Sequence, residues 1–182
     1  MSAKFGGKVV LVAGGTGGLG RAVALAFLAE GAQVVVTYRA KEGFDALKSA
    51  AGKSESNLEG HVVDVTDEIA VRQLVEKILG KYRRLDAVVN TVGGYAGGTK
   101  LWDLETKVFD QMLALNLRAG YALSRAVVRA MLKEGHGAIV NVAAKAAFDH
   151  AGGAAAYAAS KSAAVARGSS RNVAPVAGFT TR

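Results

Sequence analysis

Short apolar runs alternate along the chain with longer segments in which apolar residues recur at helical spacing. Each run is rich in β-branched residues and stops close to glycine, asparagine or another polar residue, which predicts a buried strand. The predicted strands are Lys8–Ala13, Gln33–Tyr38, His61–Val65, Leu85–Asn90 and Gly137–Ala143.

The segments between the strands show the spacing of amphipathic helices. In the first of them, Leu19, Val23 and Phe27 fall on one face, and Gly31 follows as a typical C-terminal stop. The predicted helices are Gly18–Glu30, Lys41–Ala51, Glu68–Tyr82, Leu104–Lys133 and Ala154–Ala166, the third of them capped by Thr66 or Asp67.

Strands that alternate with helices at this spacing predict a parallel sheet with helices on both faces. Right-handed crossovers favour a doubly wound α/β arrangement, the three-layer αβα Rossmann fold. No linker or internal repeat divides the sequence. We therefore expect residues 1–182 to form a single domain, with 167–182 as an irregular tail and a sheet that is incomplete at its C-terminal edge.

Composition narrows the classes of function. The chain has 182 residues, of which 51% are hydrophobic and 21% charged, as in a globular domain with a real core. The absence of cysteine excludes disulfides and thiolate metal sites and fits a cytoplasmic protein. No apolar stretch approaches the roughly 20 residues of a membrane helix, and no His, Asp or Glu group has metal-ligand spacing. We expect neither a membrane nor a metal partner.

The formal net charge of +8 is spread along the chain rather than concentrated in one segment. A solvated positive surface is therefore favoured over a nucleic-acid interface, for which no recognition motif is present. A phosphate-bearing cofactor is the second interpretation. We expect a small-molecule substrate and no nucleic-acid partner.

A glycine-rich turn joins the first strand to the first helix. Gly14 permits a sharp turn, Gly18 leaves space for a pyrophosphate against the backbone, and Gly20 lets helix and strand pack closely. Because this turn follows a strand and opens a helix, it predicts a dinucleotide site at the helix N-terminus. A ligand-free tight turn is the alternative.

The residues after the second strand bear on the choice of dinucleotide. A carboxylate there would bind the ribose 2′-hydroxyl of NAD, but the sequence is Tyr38-Arg39-Ala40-Lys41. Arg39 can stack on adenine and contact a 2′-phosphate, with Lys41 assisting. We expect NADP(H) to be preferred, with NAD(H) as the alternative. The alternative for Arg39 itself is an exposed surface arginine that does not contact the cofactor.

Several ordered motifs between about residues 5 and 166 together resemble the short-chain dehydrogenase/reductase family. They are the Gly14–Gly20 spacing, Asp64-Val65, Asn90-Thr91-Val92-Gly93 with two departures from Asn-Asn-Ala-Gly, Asn116 in a helix, and Tyr157-Ala158-Ala159-Ser160-Lys161 as Tyr-x-x-x-Lys. The resemblance implies an NAD(P)H-dependent oxidoreductase. It places cofactor contacts at Gly14, Thr16, Gly17, Gly18, Leu19, Gly20, Arg39, Asp64, Val65, Asn90, Gly93, Tyr157 and Lys161.

The resemblance also implies catalytic roles for Tyr157, Lys161 and Asn116. Hydride transfer to a carbonyl or imine carbon requires a proton for the heteroatom, which Tyr157 supplies or accepts as the acid/base. Lys161 lies on the same helix face at i+4, where its charge favours tyrosinate and its ammonium holds the nicotinamide ribose. Asn116 supports a proton-relay water. The alternatives are that Tyr157 is a core tyrosine and that Lys161 is a solvated lysine on the helix surface.

One departure affects the expected chemistry. The family places a serine 13 residues before the tyrosine, at the position that Ala144 occupies, and alanine cannot donate a hydrogen bond to the substrate oxygen. The stretches 93–98 and 144–149 resemble quinonoid dihydropteridine reductases, which also lack this serine. Their imine substrate needs less polarisation, although those enzymes usually prefer NADH, in conflict with Arg39.

The C-terminal end departs from the family pattern after Lys161. Helix-breaking residues follow at 167–171, and Asn172–Pro175 only faintly resembles the next strand end. A truncation, a frameshifted or engineered variant, or a chain with part of its residues missing would each explain this. With Ala144, it favours the alternative function of a non-catalytic dinucleotide-binding protein. By resemblance, packing of the long helix and the tyrosine helix predicts a homodimer or homotetramer.

Overall fold

A computed structural model of the chain describes residues 3–149 and 152–168. In this part of the chain, strands and helices alternate as predicted. The strands are β1 (Val9–Ala13), β2 (Gln33–Tyr38), β3 (Leu58–Val62), β4 (Ala87–Asn90) and β5 (Ala138–Asn141). The α-helices are α1 (Gly18–Ala29), α2 (Lys41–Ala51), α3 (Glu68–Tyr82), α4 (Thr106–Leu113), α5 (Ala119–Glu134) and α6 (Ala155–Gly168).

The strands form one parallel sheet in the order β3-β2-β1-β4-β5. From β1 the chain first winds outward through β2 and β3, then returns to the other side of β1 to form β4 and β5. This reversal leaves a crevice at the carboxyl ends of β1 and β4, which is where doubly wound sheets bind their ligands. The predicted Rossmann topology is confirmed.

The core consists of two apolar layers, one on each face of the sheet. Val9, Leu11 and Ala13 of β1 pack against α3 and α5, whereas Val10 and Val12 face α1 and α2. All five residues of β1 are buried, which explains why its sequence is continuously apolar rather than alternating. The architecture is therefore the predicted three-layer αβα sandwich.

The third strand begins and ends three residues earlier than predicted. It was expected at His61–Val65, but its pairing with β2 runs from Leu58 to Val62. The Asp64 side chain accepts hydrogen bonds from the backbone N–H of Thr66 at 2.9 Å and from its hydroxyl at 2.7 Å, and this turn takes the chain away from the sheet. Val65 is nevertheless buried, in the core rather than in the strand.

The single long helix predicted at Leu104–Lys133 is also corrected. A π-helical turn, Ala114–Arg118, separates α4 from α5, and the N–H of Ala119 donates to the carbonyl of Ala114, five residues back. Such turns insert one residue into a helix and are frequent at functional sites. This one contains Asn116. The helix α6 also continues to Gly168, two residues past its predicted end, and the remainder of the predicted tail, 169–182, lies outside the described residues.

The amino ends of β1 and β4 are joined through Asp86. Its carboxylate accepts hydrogen bonds from the Val9 N–H at 2.9 Å, Lys8 Nζ at 3.2 Å and Arg84 Nε at 2.7 Å. Burial alone would raise the pKa of Asp86, but these hydrogen bonds, led by that from Arg84, lower it to about 2. This side chain therefore stabilises the sheet at the end opposite the crevice.

Candidate active site

The glycine turn lies at the carboxyl end of β1 and is fastened to β2. Gly14 has a φ of 76°, a left-handed conformation that glycine adopts without strain. Its N–H donates to Thr37 Oγ1 at 2.9 Å, and the N–H of Gly15 donates to the Thr37 carbonyl at 3.0 Å. Thr37 was not among the predicted site residues, because its only signal in the sequence is a hydroxyl after three consecutive valines.

The other two spaced glycines differ in their surroundings. A Cβ added to Gly20 would overlap the Gly14 carbonyl oxygen and lie 2.7 Å from Thr91 Oγ1, so α1 can approach the turn only with glycine there. A Cβ added to Gly18 would meet nothing within 4 Å. Gly20 therefore serves packing, whereas Gly18 borders open space, as the predicted roles require.

The N-terminus of α1 is available to an anion. Gly17 caps the helix without a side chain, and the first turn carries no carboxylate. Gly17, Gly18 and Leu19 are exposed, and Thr16 beside them is half-buried. The first N–H groups of a helix lack intrahelical partners and carry the positive end of its dipole. A dinucleotide pyrophosphate therefore fits this turn.

Two groups of opposite charge lie near the carboxyl ends of β2 and β3. Arg39 directly follows β2 and is exposed. The pKa of Asp64 is lowered, chiefly by the hydrogen bonds from Thr66 and to a lesser extent by the charge of Arg39. Arg39 is thus within electrostatic range of Asp64, and the structure brings these two predicted adenosine contacts to the same edge of the crevice.

The carboxyl ends of the central strands are joined by polar side chains. Asn90 is buried; its Oδ1 accepts from the Val92 N–H at 3.1 Å and its Nδ2 lies 3.4 Å from Asn141 Oδ1. Thr91 Oγ1 donates to the Ala13 carbonyl at 2.7 Å. Thr91, one of the two departures from the family motif, therefore binds β4 to the start of the glycine turn.

Asn116 connects the loop after β4 to α6. The π-helical turn directs the buried Asn116 side chain at Gly94. Asn116 Oδ1 accepts from the Gly94 N–H at 3.1 Å, and Asn116 Nδ2 donates to the Gly94 carbonyl at 3.0 Å. Its Nδ2 also lies 3.0 Å from the hydroxyl of Ser160, a buried residue that the sequence analysis did not single out. A Cβ on Gly93 would come within 2.8 Å of Asn116 Oδ1 and 3.4 Å of Lys161 Nζ.

Helix α6 brings Tyr157 and Lys161 to this cluster. Lys161 is only 6% exposed, its Nζ donates to the Val142 carbonyl at 3.0 Å, and burial lowers its pKa. Tyr157, one turn earlier, is half-buried. Ala144 follows β5 in an extended conformation and offers no hydroxyl. The predicted catalytic and nicotinamide-side residues therefore meet at one end of the sheet, without the serine donor.

The described residues, 3–149 and 152–168, also bear on metal binding and membrane insertion. Within them, no three His, Asp or Glu side chains are grouped so that they could hold a metal ion. None of the helices in that part of the chain combines the length and apolarity needed to cross a membrane.

Known proteins resemble this chain in both sequence and architecture. The family model described as short chain dehydrogenase matches residues 8–172. The 3-oxoacyl-acyl-carrier-protein reductase FabG of Thermotoga maritima is 34% identical over 155 residues, which cover 85% of this chain and 63% of that protein. A 3beta-hydroxysteroid dehydrogenase of Mediterraneibacter gnavus is 37% identical over 158 residues, 87% of this chain and 57% of that protein.

Solved structures agree with these matches. ElxO with NADP bound superposes with a TM-score of 0.84 at 31% identity, covering 88% of this chain and 64% of that one. NAD+-bound xylitol dehydrogenase gives a TM-score of 0.89 at 28% identity, covering 95% and 67%. The chain thus spans slightly less than two thirds of the length of the first relatives that it matches.

The comparisons do not show the narrower similarity to dihydropteridine reductases, which stays a prediction from sequence. The family itself is established, since its model covers most of the chain and the relatives exceed 30% identity over more than four fifths of it. The chain belongs to the short-chain dehydrogenase/reductase family.

Proposed function

We propose that the chain is an NADP(H)-preferring oxidoreductase that acts on a carbonyl, alcohol or imine of a small molecule. The observation that carries the proposal is the buried Lys161 ammonium, held beside Gly93 and one helical turn from Tyr157. A charged group is rarely left at such burial without a function or a partner. Here it provides a positive charge where a ribose hydroxyl and the Tyr157 side chain would meet.

The residues around the crevice divide the dinucleotide between them. The turn and the α1 N-terminus hold the pyrophosphate, the ends of β2 and β3 hold the adenosine, and the ends of β4 and α6 hold the nicotinamide ribose. The pyrophosphate residues are Gly14, Thr16, Gly17, Gly18, Leu19 and Gly20. The adenosine residues are Arg39, Asp64 and Val65. The residues at the nicotinamide ribose are Asn90, Gly93, Tyr157 and Lys161. When bound, the dinucleotide supplies or accepts the hydride.

The side chains of this chain then handle the proton and the geometry. Tyr157 gives its hydroxyl proton to the substrate oxygen or nitrogen, or takes it back in the reverse direction. Lys161 orients the ribose hydroxyls. Asn116 fixes the loop that begins at Gly93 and, by its place in the family pattern, supports the water that replenishes the proton.

Arg39 favours NADP(H) over NAD(H). It is exposed at the end of β2, where its guanidinium is free to bind a 2′-phosphate through two N–H donors. Titration of the purified chain with NADPH and NADH by calorimetry measures this preference. Tighter binding of NADH would contradict it.

Turnover is tested by following NADPH oxidation optically with a panel of ketones, aldehydes and imines, among them quinonoid dihydropterin. We expect Tyr157→Phe to abolish turnover but to lower NADPH affinity by about tenfold at most, since it removes a single hydrogen bond to the nicotinamide ribose. Tyr82→Phe is the matched control, because Tyr82 ends α3 and its hydroxyl donates to Glu59, near the amino end of β3 and away from the crevice. Equal activity of the two variants would remove Tyr157 from the mechanism.

A non-catalytic dinucleotide-binding protein is the second candidate, favoured by Ala144. Without the donor hydroxyl, the substrate oxygen loses one of its stabilising hydrogen bonds. NADPH binding by the wild-type chain without oxidation by any substrate in the panel would select this candidate over the first.

Self-association is part of the proposal. A groove of about 720 Å³ lies between α4, the π-helical turn, α5 and α6, and Leu113, Leu117 and Tyr121 line it. We assign a second copy of the chain to this groove, in a homodimer or homotetramer. The assignment is supported if the wild type sediments as an oligomer and Leu117→Glu sediments as a monomer. A wild type that sediments as a monomer would refute it.

A single domain over 1–182, a cytoplasmic location and the absence of metal and nucleic-acid partners stay predictions from sequence. Limited proteolysis, cell fractionation, metal analysis of the purified chain and gel retardation of DNA and RNA test them in turn.

A further inference from the structure

Tyr95 packs against Tyr157, the proposed acid/base. Its ring centroid lies 5.0 Å from that of Tyr157, with an angle of 79° between the ring planes, an edge-to-face arrangement. Yet 71% of Tyr95 is exposed. The ring therefore contacts Tyr157 on one side and leaves most of its surface open beside the site.

Contacts at three glycines position the loop that carries Tyr95. Gly94, directly before it, is held by both amide atoms of Asn116. A Cβ on Gly97 would overlap the Tyr95 hydroxyl, so only glycine lets the phenol fold over the backbone there. The N–H of Gly98 donates to the Gly153 carbonyl at 2.8 Å, which joins the loop to the segment that precedes α6. The backbone on both sides of Tyr95 is thus held in place, and its ring lies between Gly97 and Tyr157.

The site needs a recognition element of this kind. Ala144 provides no hydrogen bond to the substrate heteroatom, so orientation must come from other contacts. Ligand pockets commonly combine aromatic walls with few polar groups, and aromatic rings prefer stacked or edge-to-face neighbours. A flat unsaturated ring next to the reacting group can lie against the open part of Tyr95 while its oxygen or nitrogen reaches Tyr157.

We propose that Tyr95 is a specificity-determining residue, which selects substrates whose reacting carbonyl or imine is attached to a flat unsaturated ring over open-chain aliphatic ones. The proposal rests on the proposed function of Tyr157. Trp102 in the same loop is the matched control: it is 78% exposed, and its ring pairs with Lys100, whose Nζ lies 5.1 Å from the ring centroid.

The experiment measures the affinity of the chain for acetophenone and for octan-2-one, two ketones with the same number of carbon atoms. Ligand-observed NMR is used, with and without saturating NADP⁺, so that no turnover is needed. The variants are Tyr95→Ala, Tyr95→Phe, Gly97→Ala and Trp102→Ala, each first checked for a wild-type unfolding temperature.

We expect Tyr95→Ala to lower the ratio of acetophenone to octan-2-one affinity roughly three- to tenfold, since an aromatic contact is lost. Gly97→Ala should give the same change by displacing the ring, whereas Tyr95→Phe and Trp102→Ala keep the ratio within about twofold. An unchanged ratio in Tyr95→Ala, an equal fall in Trp102→Ala, or no binding of either ketone overturns the proposal. A fall in the ratio, together with no NADPH oxidation by any substrate of the panel, would refute the proposed turnover while leaving the role of Tyr95 intact.

Discussion

Separate alanine substitutions at Gly18 and Gly20 would show whether the glycine turn holds a dinucleotide, because the two positions have different surroundings. An added methyl at Gly18 meets nothing within 4 Å, and alanine suits the first residue of a helix. We expect Gly18→Ala to leave the free energy of unfolding unchanged or to raise it by up to about 1 kcal/mol. The methyl would nevertheless occupy space that the pyrophosphate needs against the backbone.

Gly20→Ala should behave differently. Its methyl would collide with the Gly14 carbonyl and with Thr91 Oγ1, groups of the β1 and β4 ends that cannot move independently. Overpacking of this kind costs about 1–3 kcal/mol, and for a chain of this length that lowers the unfolding temperature by about 2–12 °C. NADPH affinity should fall as well, because the turn is deformed.

Differential scanning fluorimetry and NADPH calorimetry on the same preparations separate the two effects. The expected pattern is lost affinity at normal stability for Gly18→Ala, by at least about tenfold, and loss of both for Gly20→Ala. Unchanged NADPH binding by Gly18→Ala would refute the argument, since the open space over Gly18 would then not be the pyrophosphate site.

Three further outcomes are expected. Arg39→Ala should weaken NADPH binding about tenfold or more in calorimetry and NADH binding less than about twofold, because only NADPH carries the 2′-phosphate. Ala144→Ser should raise kcat for a ketone by about ten- to a hundredfold in the optical assay, since it adds a donor to the substrate oxygen. Asp86→Asn should lower the unfolding temperature at pH 7. In thermal melts below pH 4, the unfolding temperature of this variant should fall less with decreasing pH than that of the wild type. The pKa of Asp86 moves from 3.8 to about 2 on folding, so its contribution is complete above pH 4 and is lost as the pH falls through 2.

Each of these outcomes has a control. Arg72→Ala, on the exposed face of α3, should affect neither nucleotide, and equal losses of NADPH and NADH in Arg39→Ala would exclude a phosphate contact. An Ala144→Ser variant with wild-type kcat would mean that the added hydroxyl does not reach the substrate. Glu59, whose pKa also falls to about 2, accounts for part of the acid sensitivity, so Asp86→Asn should weaken the pH dependence without removing it.

The features that the sequence predicted correctly depend on local patterns. A continuous apolar run identifies β1 because both of its faces are buried, and the spacing of Gly14, Gly18 and Gly20 reflects contacts within a single strand–turn–helix unit. Family motifs also singled out Asn116, Tyr157 and Lys161. The fold brings them to one end of the sheet, and their catalytic roles stay predictions.

The features that the sequence did not predict depend on contacts or on backbone geometry that periodicity does not record. The Asp64–Thr66 turn ends β3 before its apolar run ends. A π-helical turn inserts a single residue into a helix. The apolar spacing on either side hardly changes, so the sequence pattern does not reveal the turn. Thr37 gains its role from a partner far away in the sequence, Gly14.

The position of Asp86 has a consequence for how this protein can change during evolution. Its ion pairs and hydrogen bonds secure the amino ends of β1 and β4, whereas every proposed contact with cofactor or substrate lies at the carboxyl ends. Mutations that alter substrate choice, such as those at Tyr95 or Ala144, are therefore several residues and a full strand length away from this anchor. The fold can accept new loops at one end without weakening the other, so new specificities can be selected at little risk to folding.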